Sequence, residues 1–180
     1  KIGHMSKIIL IIGIALSIIG CKKVAKLTQF NMEFNETVVI PSSAGVNLPF
    51  NVLTPDIQTN SESTFEINDT RKDLIEEIIL TDIDLTISSP TNGNFNFLKS
   101  IEIYISADGL DEVKIAWKDS VPSNLTFLDL DVTGVDLKEY IKADKFSLRL
   151  YTETDELLTS DYHIAIHLHQ YENKEHQTME

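Results

Sequence analysis

Apolar and polar residues alternate with a period of two through most of the chain. This spacing places successive apolar side chains on one face of an extended strand and polar side chains on the other. Strands with one apolar face are typical of antiparallel sheets, and two such faces must meet to form a core. The alternating runs are Phe30, Met32 and Phe34; Ile79, Ile83, Leu85 and Ile87; Ile101, Ile103, Ile105 and Ala107; Val113, Ile115 and Trp117; Leu128, Leu130 and Val132; Phe146, Leu148 and Leu150; and Ile164, Ile166 and Leu168.

Turn-forming residues separate these runs, as in the stretches SSPTNGN, ADGLDE and DSVPSN. The pattern predicts an all-β fold, an antiparallel β-sandwich of about seven to nine strands with one or two short helices. One helix is predicted within residues 70–79, where the apolar residues would share a side: Leu74, Ile75, Ile78 and Ile79. The other is predicted within residues 135–142, where the apolar residues follow an i, i+3, i+4 spacing.

The single cysteine, Cys21, ends an apolar run that begins at Ile8 and contains no charged residue. The run is shorter than the roughly 20 residues that cross a bilayer and fits the apolar region of a secretory signal. Ile18, Ile19 and Gly20, directly before the cysteine, resemble the lipobox of bacterial lipoprotein signals. This resemblance implies cleavage before Cys21 and lipid attachment to it. The alternative is an uncleaved membrane anchor that ends in an incidental thiol.

This interpretation divides the chain into segments. Residues 1–20 are read as a cloning remnant followed by a lipoprotein signal peptide, and residues 21–29 as a lipidated tether. Residues 30–172 are predicted to form a single β-sandwich domain, and residues 173–180 a polar tail. The lipid would anchor the protein to the bacterial cell envelope. Lys22 stands where an inner-membrane retention aspartate would be expected, which favours the outer membrane, facing the periplasm or the cell surface.

The charge balance limits the classes of partner. The chain has 28 acidic and 15 basic residues and a formal net charge of −13, which opposes binding to nucleic acids. No nucleophile elbow or His-Glu-x-x-His motif occurs, and 7 glycines leave little material for a phosphate-binding loop. Paired carboxylates such as Asp82 and Asp84 carry little information in so acidic a chain. We therefore predict no enzymatic activity and no catalytic residues.

Three of the five histidines lie close together, in the stretch YHIAIHLHQ. In a strand, His163, His167 and His169 share the face opposite the apolar residues. His167 and His169 would be near enough to approach one zinc ion, with a carboxylate from a neighbouring strand as the third ligand. The alternative is that these histidines form an ordinary solvated face.

A second candidate metal site lies in the stretch DLDVTGVDLKEY. Asp129 and Asp131 occupy the first and third positions of a loop like that of an EF-hand, and Gly134 occupies the sixth. Tyr140 stands at the twelfth position, where the EF-hand has a glutamate. The hypothesis is a calcium site built from Asp129, Asp131 and Asp136. The alternative is a strand with outward aspartates and a glycine turn into a helix. Apart from these candidate calcium or zinc ions, we predict no cofactor.

Tyr104 is out of phase with Ile103 and Ile105, so we expect it on the surface, where a sugar ring could stack on it. Trp117 is in phase with Val113 and Ile115, and we expect it in the core. Two functions therefore compete. The leading one is a non-enzymatic envelope lipoprotein that serves as an adaptor or structural subunit for an envelope protein partner. The alternative is a ligand-binding module for carbohydrate or a divalent metal.

Overall fold

The computed structural model describes residues 29–42, 47–68 and 70–174. Strands dominate this part of the chain, and two short α-helices and two single 3-10 turns accompany them. The 3-10 turns span Lys72–Leu74 and Phe95–Phe97. The strands are β1 (Gln29–Ile40), β2 (Pro49–Leu53), β3 (Ile57–Gln58), β4 (Ile75–Ser89), β5 (Leu98–Ser106), β6 (Val113–Lys118), β7 (Phe127–Asp129), β8 (Asp131–Val132), β9 (Lys145–Thr154) and β10 (Tyr162–Lys174); the helices are α1 (Ser61–Ile67) and α2 (Lys138–Lys142).

The strands form two antiparallel sheets. The smaller sheet has the order β1-β10-β4-β7, and the larger sheet has the order β2-β9-β5-β6-β8, with β3 paired to β9. Consecutive strands such as β9 and β10 therefore lie in different sheets, in the nested arrangement of a jelly roll. The predicted all-β sandwich is confirmed, although the described residues contain ten strands because β3 and β8 are separate two-residue segments.

The inner faces of the two sheets form one hydrophobic core. The period-two pattern places Phe146, Leu148 and Leu150 of β9 inside, with 1% or less of each exposed. The ring of Phe146 packs edge-on against Phe34 of β1, with 5.3 Å between ring centroids, and so joins the two sheets. Burial of such a side chain contributes about 1.5–3 kcal/mol, so this layer is the main source of stability.

The helix predicted within residues 70–79 is wrong. A 3-10 turn ends at Leu74, and Ile75 begins strand β4. Ile75 and Ile78 are both buried at a spacing of three, which imitates a helix. The real cause is a β-bulge: Ile75 and Glu77 pair with consecutive residues of β10, so Glu76 is an extra residue that shifts the inward phase.

The helix predicted within residues 135–142 is confirmed as α2, which buries Tyr140 and Ile141 against the core. Gly134 precedes it at a φ of +70°, a conformation that glycine adopts without strain. Helix α1 was not predicted. It buries Ser61 and Phe65, one turn apart, and the Phe65 ring contacts Phe30 at 6.1 Å between centroids.

Candidate functional site

The side chains with functional potential lie on two outer faces of the sandwich, whereas Cys21 lies outside the described residues. The histidine face is the outer surface of the smaller sheet. The aromatic face is the outer surface of the larger sheet. The histidine face is defined by Glu33, Asp82, Asp84, His167 and His169, and the aromatic face by Glu102, Tyr104, Lys114, Trp117, Arg149 and Tyr151.

On the histidine face, His167 of β10 lies directly opposite Asp84 of β4. Its Nδ1 atom is 2.8 Å from Asp84 Oδ1. Asp84 is only 7% exposed, whereas His167 is partly open to solvent. Since an isolated buried carboxylate is costly, the hydrogen bond to His167 is the compensation that holds Asp84 in place.

His169 lies opposite Asp82 of β4 and Glu33 of β1. Ligand-type atoms of Asp82, Asp84 and His169 all lie within 4.8 Å of one another, so the three side chains converge on one point. His169 Nδ1 is also 3.5 Å from Glu33 Oε1. Strand β10 therefore contributes a histidine to a mixed cluster, and β4 contributes two carboxylates.

The third predicted histidine is not part of this cluster. His163 lies opposite Ser89, at the other end of the β4–β10 pairing. It is four residues from His167, which is about 13 Å along a strand. The structure thus separates the predicted trio: His169 belongs to the convergent group, His167 holds one of its carboxylates, and His163 stands apart.

Asp82 and Asp84 reach the outer face because of a second β-bulge in β4. Leu80 and Asp82 pair with consecutive residues of β10, so Thr81 is an extra residue. Leu80 is buried, and an uninterrupted strand would turn Asp82 and Asp84 to the same inner side. The bulge reverses the phase and places both carboxylates beside the histidines.

The three aspartates of the predicted calcium loop lie in different elements. Asp129 is in β7 of the smaller sheet, opposite Asp84, whereas Asp131 is in β8 of the larger sheet, opposite Trp117. Asp136 Oδ1 accepts hydrogen bonds of 3.0 Å from the backbone N–H groups of Ile78 and Lys138. The chain crosses between the sheets within the stretch, so it does not form an EF-hand-like loop.

On the aromatic face, Tyr104 points outward as predicted, but the expectation that Trp117 lies in the core is wrong. Ile103 pairs with Ala116 and Tyr104 pairs with Lys114, so one residue of β6 is extra. This bulge reverses the phase of the strand, and Trp117 pairs with outward-facing residues on both sides. Trp117 is therefore partly exposed on the face that carries Tyr104.

Tyr151 of β9 is the third aromatic residue of this face and is 38% exposed. Glu102 pairs with Tyr151 on one side and with Trp117 on the other. Since neighbouring strands are about 4.8 Å apart, the backbones that carry Tyr151 and Trp117 are separated by about 10 Å.

Charged groups on the aromatic face neutralise one another. The Arg149 guanidinium lies 4.2 Å from the centre of the Tyr104 ring and binds both carboxylate oxygens of Glu112, at 2.8 and 2.6 Å. This pairing lowers the pKa of the Glu112 carboxyl. The hydrogen bond that Tyr104 donates to Glu102 is the largest cause of the lowered pKa of Glu102, and the hydrogen bond from Lys114 is the next. The Tyr104–Glu102 hydrogen bond also raises the pKa of the Tyr104 hydroxyl.

Sequence reasoning found only part of each face. It anticipated a carboxylate from a neighbouring strand beside the histidines but did not identify Asp82 or Asp84. It found Tyr104 but passed over Tyr151, although Tyr151 directly follows the inward Leu150 and so had the same phase signal. Trp117 carried no such signal, because the bulge that turns it outward leaves no mark in the alternation.

Comparisons with known proteins give a fold-level likeness. No protein family and no curated protein matches the sequence. A capsid chain of cyanophage Pam1 is similar over 80% of this chain and 86% of its own, at 7% identity and a TM-score of 0.40. A CBM32 domain from Clostridium perfringens, solved with GalNAc-β-1,3-galactose, is similar over 79% of this chain and 97% of its own, at 11% identity and a TM-score of 0.32.

The C-terminal domain of a chitobiase from Bacteroides fragilis is similar over 59% of this chain and 64% of its own, at 12% identity and a TM-score of 0.29. At such identities and scores, none of these structures assigns a ligand or a partner. Within the described residues, no helix has the length and apolar character needed to span a bilayer.

Proposed function

We propose that the protein is a non-enzymatic binding module, held at a bacterial membrane by lipid on Cys21, and that its aromatic face binds carbohydrate. The observation that carries the proposal is the grouping of Tyr104, Trp117 and Tyr151 on one sheet surface. Aromatic rings offer apolar area to the C–H face of a sugar while leaving their polar atoms free for hydrogen bonds. Jelly-roll folds serve as lectin domains elsewhere, which makes the architecture suitable.

The polar groups between the rings support the same ligand class. Glu102 lies between Tyr151 and Trp117, and Arg149 also donates a 2.6 Å hydrogen bond to Asn51 Oδ1. These side chains hold one another in fixed positions, so a ligand would meet ordered hydrogen-bonding groups at little cost in side-chain entropy. Arg149 covers one side of Tyr104, so stacking is assigned to Tyr151 and Trp117.

The tether fits this role. Gln29, where strand β1 begins, is eight positions after Cys21, and a fully extended segment of eight residues reaches at most about 29 Å. Lipidation of Cys21 would therefore keep the sandwich close to the membrane and present it to glycans of the envelope or its surroundings. Two or more acyl chains would supply stable anchoring.

The single tryptophan of the chain allows a direct test. Trp117 fluorescence reports on the proposed site alone, so a panel of soluble glycans should contain at least one that shifts the emission saturably. Tyr151→Ala should weaken this binding by about 1–3 kcal/mol if it loses one stacked ring. Phe127→Ala is the matched control, because Phe127 is 47% exposed on the other sheet. Equal loss in both variants, or no response to any glycan, would count against the proposal.

A protein partner is the second candidate. Tyr, Trp and Arg are the residues most enriched at the energetic centres of protein interfaces, and the aromatic face contains all three. In this case an envelope protein crosslinked to the native lipoprotein would attach near Trp117, and Arg149→Ala would abolish the crosslink while glycans leave the fluorescence unchanged. The two candidates therefore differ in a measurable outcome.

A further inference from the structure

The histidine face holds carboxylates that contact histidines but, in the described part of the chain, no lysine or arginine. Among the described residues, neither lysine nor arginine forms an ion pair with Asp82, Asp84 or Glu33, and the contacts recorded there are to histidines. Asp84 is 7% exposed, yet only its Oδ1 atom has a hydrogen-bond partner in the described part of the chain. A nearly buried carboxylate that keeps one oxygen open, beside a second carboxylate and an imidazole, offers that oxygen to a cation.

We propose that Asp82, Asp84 and His169 bind a divalent transition-metal ion, with zinc as the expected occupant. Their ligand-type atoms already lie within 4.8 Å of one another. Zinc–oxygen and zinc–nitrogen bonds of about 2.0–2.2 Å require the atoms to close by about 1 Å, which rotation of the exposed Asp82 side chain supplies. A water molecule or Glu33 completes a tetrahedral set.

The donor set selects the metal. Calcium and magnesium take oxygen ligands, whereas an imidazole nitrogen beside carboxylates suits zinc and its neighbours in the transition series. A divalent cation also supplies the positive charge that the histidine face lacks. The site contains only one nitrogen ligand and no thiolate, so we expect weaker binding than in a closed structural zinc site.

His167 acts as a positioning residue in this site. Its Nδ1 atom holds Asp84 Oδ1 at 2.8 Å, which leaves the other carboxylate oxygen for the metal. Partners of this kind orient a ligand, and their loss typically weakens metal binding by about 10–100-fold. The metal site and the aromatic face belong to opposite sheets, so this inference does not depend on the proposed carbohydrate ligand.

The test is a titration of the full chain with zinc chloride after treatment with a chelator, followed by calorimetry. The Cys21→Ser background keeps the tested chain unlipidated and removes the one thiol that would then compete for the ion. We expect saturable binding of one zinc per chain. Asp82→Asn and His169→Ala should each raise Kd by more than about 100-fold, and His167→Ala by about 10–100-fold. Asp82 is exposed, so Asp82→Asn should fold normally.

His163→Ala is the matched control, because His163 lies on the same strand and faces outward but is outside the cluster. It should leave zinc affinity within about twofold of the parent, as expected for a distant and independent site. Cobalt should substitute for zinc and give the visible absorption of a four-coordinate site. No saturable zinc binding, or binding that Asp82→Asn and His169→Ala leave intact, would overturn the proposal.

Discussion

The two outer faces of the sandwich differ in the side chains that pair with their carboxylates. On the larger sheet, Glu102 contacts Lys114 at 3.0 Å, and Glu112 contacts Arg149 at 2.6 Å. On the smaller sheet, the ion pairs of Asp84 and Glu33 among the described residues are with histidines alone. One face is neutralised by its own side chains. The other keeps an excess of negative charge that a cation would offset.

This difference shows that outward polar residues in a sheet are not equivalent. Fixed ion pairs make the aromatic face an ordered surface whose exposed rings remain available to a ligand. Carboxylates without a lysine or arginine partner leave the histidine face with an excess of negative charge instead. Five measurements, ordered from the largest expected effect to the smallest, would sharpen this contrast or break it.

The largest effect is expected in the core between the two sheets, because its packing holds both outer faces in place. Phe146 is 1% exposed and contacts Phe34 across the sheets, so Phe146→Ala should lower the free energy of unfolding by about 3–5 kcal/mol. Urea denaturation measures the change. Phe127→Ala removes an exposed ring and should cost less than about 1 kcal/mol. Similar losses in both variants would mean that the Phe146 contact does not hold the sheets together.

Zinc should stabilise the protein through the histidine face alone. At about 100 times Kd, a ligand that binds only the native state raises the free energy of unfolding by about 2.7 kcal/mol. Thermal denaturation with and without chelator would measure this difference. Arg149→Ala should retain the zinc effect, and Asp82→Asn should lose it. Stabilisation of both variants by zinc would show that the two faces do not differ in this way.

Each face covers a buried polar group without a hydrogen-bond partner in the described structure. Gln170, which is 1% exposed, lies beneath the histidine face with both amide atoms unsatisfied; Thr152 lies beneath the aromatic face with its hydroxyl unsatisfied. Gln170→Met should therefore stabilise the protein by about 1.5 kcal/mol, and Thr152→Val by less. Urea denaturation would compare them. Destabilisation by Gln170→Met would mean that the amide has a partner such as a buried water.

Removal of the Arg149 guanidinium from the aromatic face should lower the free energy of unfolding. Arg149→Ala ends the two-pronged contact with Glu112 and uncovers Tyr104, at a cost of about 1 kcal/mol after allowance for solvent screening. Arg149→Lys should recover only part of this, because an ammonium group cannot bind both oxygens in the same plane. Full recovery by lysine in urea denaturation would contradict the importance of the planar contact.

The contribution of the aromatic face to the pH dependence of stability should be smaller still. Glu102 and Glu112 have folded pKa values below the ordinary value of 4.5. Their pairs therefore stabilise the fold fully above that value, and this stability is lost as the pH falls through the lower folded pKa. Glu112→Gln should flatten the decline in unfolding free energy below about pH 4.5 by a few tenths of a kcal/mol. An unchanged decline would contradict a folded-state pairing of Glu112.

Much of the architecture was predictable because period-two alternation has a direct physical meaning. It placed Phe146, Leu148 and Leu150 in the core, and it turned Tyr104 outward. The candidate sites were less predictable. The spacing of His167 and His169 placed them on one face, but it could not identify which carboxylates of an acidic chain would lie beside them.

The limit of sequence reasoning lies at the bulges. An extra residue at Thr81 turns Asp82 and Asp84 outward, and an extra residue in β6 turns Trp117 outward. An extra residue at Glu76 gave β4 the spacing of a helix. A bulge depends on the register between two strands that are distant in the chain, so the alternation around Glu76 and Trp117 does not identify it.

The sequence by itself determined the sandwich and most of its core, because burial of an apolar face requires only local alternation. The tertiary structure decided which of the outward residues meet. Pairing of β4 with β10 joined Asp84 to His167, and pairing of β5 with β9 and β6 joined Glu102 to Tyr151 and Trp117. Both candidate sites arise from strand register, which long-range hydrogen bonds and packing fix together.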